Sequence, residues 1–320
     1  MTSADTKTAR PARLAFIGFG EAAQAFVTGW AKERPAALAA FDIKTDAADA
    51  AIRDGKWADY TRCAVEGAAT AAEALAGADM VVSVVTADQA LAAAKSACGH
   101  LSPGAFYLDC NSCAPDTKRA AAALIEAAGG RYVDVAVMAP VHPKLHHVPL
   151  RLSGPHADTV KPLLDALDMK ATITPGEVGA SSSIKMIRSI MIKGLEALTL
   201  ECILAARKAG VDEAVIASLD SSFPGFDWKS RAAYNLERVM THGIRRAAEM
   251  REVALTVDNL GLEGRMARAT VEWQQLVGDM KLNTGEGGGI GEDYGSRADA
   301  ILAKLDACPD TDSKKGDQSR

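Results

Sequence analysis

Lys185 stands in GASSSIKMIRSI, residues 179–190, an otherwise apolar helical run with small serines before it and no carboxylate within four positions to pair with it. A lysine so placed either snorkels from a half-buried face beside Arg188 and Lys193 or is kept for its titratable amine. A second stretch, IGFGEAA at 17–23, sets Gly18, Gly20 and Ala23 in G-x-G-x-x-A register. In that pattern the first glycine permits a tight turn and the second lets a pyrophosphate approach the backbone, while the small third residue allows close helix packing. Further along, DCNSCAP at 109–115 supplies the amide of Asn111 and the hydroxyl of Ser112. MTHGIRRAAEM at 240–250 gathers His242, Arg245 and Arg246, and an arginine fork suits a carboxylate or phosphate. The helical phase leaves open which arginine faces inward.

Cys110 and Cys113 also make a C-x-x-C. A thiol redox pair would use that spacing at a strand-to-helix turn, and AFYL before it with Pro115 after it provides such a turn. No second cysteine pair completes a zinc site, however, and Asp109 would raise a neighbouring thiol pKa. The pair is therefore expected to be incidental, and no metal is expected. The remaining cysteines, Cys63, Cys98, Cys202 and Cys308, form no repeating framework, and a chain of 320 residues needs no disulfide staples.

The elements that must carry these residues follow a simple order. From Arg13 to about Pro175 short β-rich runs alternate with alanine-rich helical stretches, the βαβα pattern of a largely parallel sheet covered by helices on both faces. Strands are expected at 13–17, 38–42, 79–85, 105–109, 131–137 and 148–153. Residues 177–209 hold no proline and apolar residues around most of the circumference, which predicts one helix of roughly 45 Å. A helix of that length is expected to run between domains or through a subunit interface, and a homodimer follows from the second case. The rest is helical to about residue 307, broken at SSFPGFDW (221–228) and NTGEGGGIG (283–291), with no internal repeat. The expected fold is α/β: a doubly wound parallel sheet of the Rossmann type over residues 11–176, joined by the long helix to an all-α domain over 177–308. Residues 1–10 and 309–320 are expected to be disordered tails.

Composition narrows the function. With 48% hydrophobic and 24% charged residues the chain is ordinary for two globular domains. A net charge of −5 gives no basic field for nucleic acid or an anionic membrane, so a small-molecule partner is expected. MTSADTKTARPAR has no apolar signal region and no long apolar span follows it, which is the pattern of a cytoplasmic protein.

The phosphate loop points to a dinucleotide. Asp42 ends the second expected strand 22 residues after Gly20, near the spacing of a carboxylate that accepts the ribose hydroxyls of NAD. Its charge would repel a 2′-phosphate, whereas Lys44 and Thr45 keep NADP open as the alternative. Glu21 suits the positive end of the helix but would oppose a pyrophosphate if it faced one. The residues expected around the cofactor are Gly18, Phe19, Gly20, Glu21, Ala22, Asp42, Val85, Thr86 and Gln89.

Four motifs in order, IGFGEAA, DCNSCAP, DVAVMAP (134–140) and GASSSIKMIRS, together make the chain resemble the β-hydroxyacid dehydrogenase family, which includes 3-hydroxyisobutyrate and 6-phosphogluconate dehydrogenases. The likeness runs from Arg13 to about residue 300, and the H-G-x-R-R-x-x-E-M run resembles a phosphogluconate-dehydrogenase-like branch with diverse substrates. The resemblance implies that Lys185 is the acid/base group and that Ser189 stands where the family carries an asparagine one helical turn on. It also implies that Asn111 and Ser112 hold a substrate carboxylate. Met138 and Ala139 replace a glycine-rich segment of the family and make the pocket wall bulkier, with His142 just beyond. Arg245 or Arg246 would take the place of a lysine that reaches the site, and His242 is a second candidate there. The implied activity is hydride transfer between an anionic hydroxyacid and NAD, with the Lys185 pKa lowered by burial and nearby Arg188 or the nicotinamide charge. An imine reductase and a non-catalytic nucleotide sensor are the rival readings. The retained lysine argues against the sensor, and the arginines near the pocket argue against a neutral imine.

Overall fold

Alternation within short β-rich runs sends successive side chains to opposite faces of a strand. In β1 (Arg13–Ile17) Leu14 and Phe16 enter one apolar core while Ala15 and Ile17 enter another. The computed structural model describes residues 10–282, 284 and 289–307. The tails expected at 1–10 and 309–320 therefore lie outside the described residues except for Arg10, as do Cys308 and most of the 283–291 break. Arg10 is held, its Nε donating to the Ala166 carbonyl at 3.0 Å.

Along the first part of the chain β1 is followed by α1 (Glu21–Trp30), β2 (Ala37–Phe41), α2 (Ala50–Arg62), β3 (Glu66–Gly67), α3 (Ala71–Leu75), β4 (Met80–Ser83), α4 (Ala90–Ala97), β5 (Phe106–Asp109), α5 (Pro115–Ala127), β6 (Arg131–Val137), β7 (Leu150–Ser153), α6 (Ala157–Ala166) and β8 (Ala171–Ile173). The strands form one sheet in the order β3-β2-β1-β4-β5-β6-β7-β8. Pairing is parallel except between β6 and β7. One face packs on Phe26 and Trp30 of α1 and Val160 and Leu164 of α6. The other packs on Ala94 and Ala97 of α4 and Ile125 of α5. This is the expected doubly wound sheet, with two corrections. Strands β3 and β8 were not expected, because runs of two and three residues carry no readable period. The last expected strand starts at Leu150 and runs antiparallel to its neighbour β6.

The second part is helical: α7 (Ala180–Ala209), α8 (Asp212–Ser222), α9 (Trp228–Asn259), α10 (Arg265–Asp279) and α11 (Tyr294–Ala307). The break at 221–228 separates α8 from α9. A core of Leu200, Ile203, Leu236, Val239, Val277 and Ile301 holds these helices together.

The chain divides into two compact units. One comprises the described residues up to Arg188 with Leu255–Leu262, and the other Ser189–Ala254 with the described residues from Glu263 on. The division falls within α7 and not near Gly176. Lys185, expected from the helical domain, is therefore part of the sheet-containing unit.

Candidate active site

At the end of β1 the chain turns through Gly18 with φ +84°, a left-handed conformation that favours glycine. A Cβ there would lie 2.5 Å from the Val84 carbonyl oxygen, so the turn has no room for a side chain. Gly20 caps α1, and nothing lies within 4 Å of the place its Cβ would take. The loop thus has a closed side against β4 and an open side at Gly20, beside the helix N-terminus that favours a bound anion. Ala23 is fully buried, as close packing of α1 requires, while Glu21 is exposed and Ala22 half-buried.

Asp42, directly after β2, takes the Phe19 N–H on Oδ2 at 2.8 Å and the Lys44 N–H on Oδ1 at 2.9 Å. It thereby braces the loop while staying partly exposed, and each oxygen keeps a second lone pair. The Phe19 side chain is a core group, tilted on Tyr60 with ring centroids 5.2 Å apart. Its carbonyl accepts from Lys56 Nζ at 2.6 Å, and that buried ammonium also pairs with Asp59 at 2.9 Å. Lys56 was not singled out from the sequence, since a lysine in a largely polar helix carries no such signal. Thr86 and Gln89 are exposed on the turn after β4, and Val85 is half-buried.

Across the strand ends, Asn111 is buried, its Oδ1 accepting the Val85 N–H at 2.6 Å and its Nδ2 donating to Ser83 Oγ at 2.9 Å. The amide expected to face substrate is thus engaged in fixing the loop that carries Val85. Ser112 is half-buried and accepts a hydrogen bond from Lys185 Nζ. Met138 and Ala139 are half-buried after β6, and His142 is exposed. Cys110 and Cys113 are buried and not joined in a disulfide, and burial pushes the Cys110 thiol up to about 12. At neutral pH Cys110 holds its proton, which removes it as a redox nucleophile.

Lys185 is positioned by a buried polar network at the start of α7. Asp134 Oδ2, on β6, accepts from the Gly179 and Ser182 N–H groups and from the hydroxyl of Ser182, each at 3.1 Å, and from that of Ser153 at 3.0 Å. Ser153 Oγ in turn accepts the Ser181 N–H at 3.0 Å. The helix therefore receives its N-terminal cap from β6 and β7, and in GASSS the Ser182 hydroxyl and the backbone N–H groups of Gly179, Ser181 and Ser182 serve that docking. Beneath them Lys118, fully buried, lies 2.9 Å from Asp109 Oδ1 and 3.5 Å from Asp134 Oδ1. Burial alone would lower the Lys118 pKa, but the two carboxylates outweigh it and hold the ammonium charged. Tyr132 completes the set, donating to Asp109 Oδ2 at 2.7 Å. Lys118 and Asp134 escaped the sequence reading. The paired aspartates of DCNSCAP and DVAVMAP, aligned across β5 and β6, were the available signal.

Ser189 lies one turn beyond Lys185 on α7 and belongs to the second unit, where Lys193 Nζ donates to its hydroxyl at 3.3 Å. Lys193 also pairs with Glu249 of α9 at 2.7 Å. Arg246 is buried and pairs with Glu196 of α7 at 2.8 Å, and Gln274 of α10 donates to the same carboxylate at 3.2 Å. Burial pushes the Glu196 pKa up, and the nearby cations of Arg246 and Lys193 oppose that shift. Arg245 is exposed, 3.4 Å from Glu249. Of the two arginines, then, Arg246 turns inward and is committed to Glu196. Burial, reinforced by Arg238, Arg245 and Arg246, holds the His242 pKa down to about 4, so the ring is neutral at physiological pH.

A family model described as the NAD binding domain of 6-phosphogluconate dehydrogenase matches residues 13–167. Over 95% of this chain and 100% of its own, the crystal structure of a conserved hypothetical protein from Sinorhizobium meliloti is 37% identical, with a TM-score of 0.70. The chain belongs to one family with this protein, and its first part to the family of the NAD binding domain of 6-phosphogluconate dehydrogenase. A second model, described as a domain of unknown function (DUF1932), matches residues 206–277 of this family member. A conserved protein whose structure was reported as similar to 3-hydroxyacid dehydrogenases is 27% identical over 84% of the chain and 98% of its own, with a TM-score of 0.62. Mycobacterium tuberculosis 3-hydroxyisobutyrate dehydrogenase shares the fold at 14% identity, covering 92% of the chain and 99% of its own, with a TM-score of 0.67. The first unit of this dehydrogenase-like protein carries an NAD(P)-binding domain. Among the described residues no helix is long and apolar enough to cross a membrane.

Proposed function

We propose that this family member is an NAD-dependent dehydrogenase acting on an anionic hydroxyacid, with Lys185 as general acid and base. The observation that carries the reading is the hydrogen bond from Lys185 Nζ to Ser112 Oγ, within the unit that also holds the Gly18–Gly20 loop. A hydroxyl can accept from the lysine while donating to a carboxylate, so Ser112 would link the proton-transfer group to the acidic end of the substrate. In the oxidative direction neutral Lys185 takes the substrate hydroxyl proton at Nζ, and in the reductive direction its ammonium returns it. Ser189 would orient the hydroxyl or a bridging water, and Met138, Ala139 and His142 would line the substrate wall. Within the second unit Arg245 is exposed, whereas Arg246 is held by Glu196.

The residues fit a dinucleotide: the closed turn at Gly18 and the open backbone at Gly20 suit a pyrophosphate, and Asp42 suits ribose hydroxyls. When bound, the nicotinamide supplies the hydride acceptor or donor. Ile43, 72% exposed beside Asp42, offers an apolar face for the adenine ring. The carboxylate of Asp42 favours NAD over NADP, with Lys44 the residue that would support the alternative. A homodimer is the expected assembly. Ile184, Ile187, Met191, Ile192 and Leu198 leave large apolar side chains exposed along α7, and a second copy would cover them.

The test is a screen of hydroxyacids with NAD and NADP, followed by absorbance of the reduced cofactor, in wild type and Lys185→Met. Methionine should lower kcat by about 10²-fold or more while NAD affinity is retained. Lys185→Arg should not rescue, since a guanidinium does not deprotonate at working pH. A Lys185→Met enzyme with kcat close to wild type would overturn the assignment.

A further inference from the structure

A group of ligand atoms in the first unit has no part in the dehydrogenase reading. His146 and His147 occupy a 3-10 turn, Leu145–His147, between β6 and β7, and Asp168 occupies the turn between α6 and β8. Nε2 of His147 lies 2.7 Å from Asp168 Oδ2, and Nε2 of His146 lies 3.9 Å from the same oxygen. One donor atom from each residue falls within 4.8 Å of the others. The two rings sit side by side, their centroids 3.8 Å apart.

Their surroundings hold this arrangement. His146 is 7% exposed and packs over Gly29 of α1, where a Cβ would come within 2.1 Å of its Nδ1. Any side chain at position 29 would push the ring aside, so the glycine makes the seat of this imidazole. Lys170 Nζ donates to the other Asp168 oxygen, Oδ1, at 2.6 Å, which fixes the carboxylate and leaves Oδ2 to the histidines. His147 and Asp168 are both about half exposed, so water can complete a coordination shell.

We propose that His146 Nε2, His147 Nε2 and Asp168 Oδ2 bind one divalent transition-metal ion of the zinc type. Metal–ligand bonds of about 2.0–2.2 Å in a tetrahedral site set neighbouring donor atoms about 3.3 Å apart. The observed 2.7 and 3.9 Å lie on either side of that value, so each histidine–carboxylate spacing is within about 0.6 Å of a metal-bound one. Two imidazoles and one carboxylate select zinc, cobalt, nickel or copper over magnesium and calcium, which prefer all-oxygen shells. A solvated ion pair between Asp168 and His147 would not require a second imidazole seated on a glycine. The ion would tie the loop carrying His142 to the turn before β8.

The untagged full-length protein, stripped with EDTA, is titrated with zinc chloride by isothermal calorimetry, and with cobalt(II) followed by visible absorption. One saturable zinc site with micromolar affinity is expected, with no heat from magnesium. His147→Ala and Asp168→Asn, both at exposed positions, should each weaken zinc binding at least about tenfold. Gly29→Ala, which removes no ligand, should weaken it as well by displacing His146. Absence of saturable binding below millimolar zinc would overturn the proposal. So would zinc affinity unchanged in both His147→Ala and Asp168→Asn, since the ion would then be held elsewhere.

Discussion

Replacing Lys118 by methionine removes one buried positive charge and little volume. The ammonium is the cation within hydrogen-bonding reach of Asp109, and Asp134 Oδ1 accepts no hydrogen bond among the described residues, only the ion pair at 3.5 Å. All three side chains are fully buried, so neither carboxylate can turn to water for compensation. Breaking a buried pair by deleting one partner costs about 3–5 kcal/mol. At about 2–4 °C per kcal/mol for a unit of this size, the melting temperature should drop by about 6–20 °C. The pH dependence gives a second check. Without the cation, a buried carboxylate takes up a proton more readily in the folded than in the unfolded chain. The folded state then binds more protons, and stability falls as pH rises. Acidification from about pH 7 to about pH 5 should therefore narrow the gap between variant and wild type. Adding Asp134→Asn to Lys118→Met should restore part of the loss, because it removes one of the two charges left uncompensated. Circular dichroism melts of the three proteins provide the measurement. A Lys118→Met protein melting within about 2 °C of wild type at neutral pH would refute the charge-balance argument.

Replacing Asp42 by Ser should shift the ratio of kcat/KM values towards NADP, and comparable or better turnover with NADP in the wild type would contradict the NAD assignment. His242 has a folded pKa of about 4, below its unfolded value near 6.5, so the unfolded chain binds more protons between the two. Stability should accordingly fall as pH drops through that window, by about 1–2 kcal/mol after allowance for solvent screening of a half-open ring. His242→Gln should flatten that limb in urea titrations at a series of pH values. Light scattering at micromolar concentration should give a mass of at least twice the 33.5 kDa of the chain, and a monodisperse monomer would remove the role assigned to the exposed face of α7.

Periodicity and local chemistry were enough to determine the doubly wound sheet, the tight turn at Gly18 and the long helix bearing Lys185. Each depends on neighbours close in the chain: alternation within a strand, glycine at a turn, apolar residues at helical spacing. The short strands β3 and β8 were not legible, because their place in the sheet is set by pairing with β2 and β7 and not by their own two or three residues. The same distinction runs through the candidate site. Asn111 and Arg246 carry the right groups to meet a substrate, yet in the fold the first is taken up by Ser83 and Val85 and the second by Glu196. Asp134 and Lys118 looked like ordinary members of a strand and a helix, and folding made them the anchor of the helix that presents Lys185. Which polar group is spent on structure and which is left for chemistry depends on partners brought together from distant parts of the chain. A buried donor or acceptor must find such a partner or forfeit its hydration, and only the tertiary structure decides which one it finds.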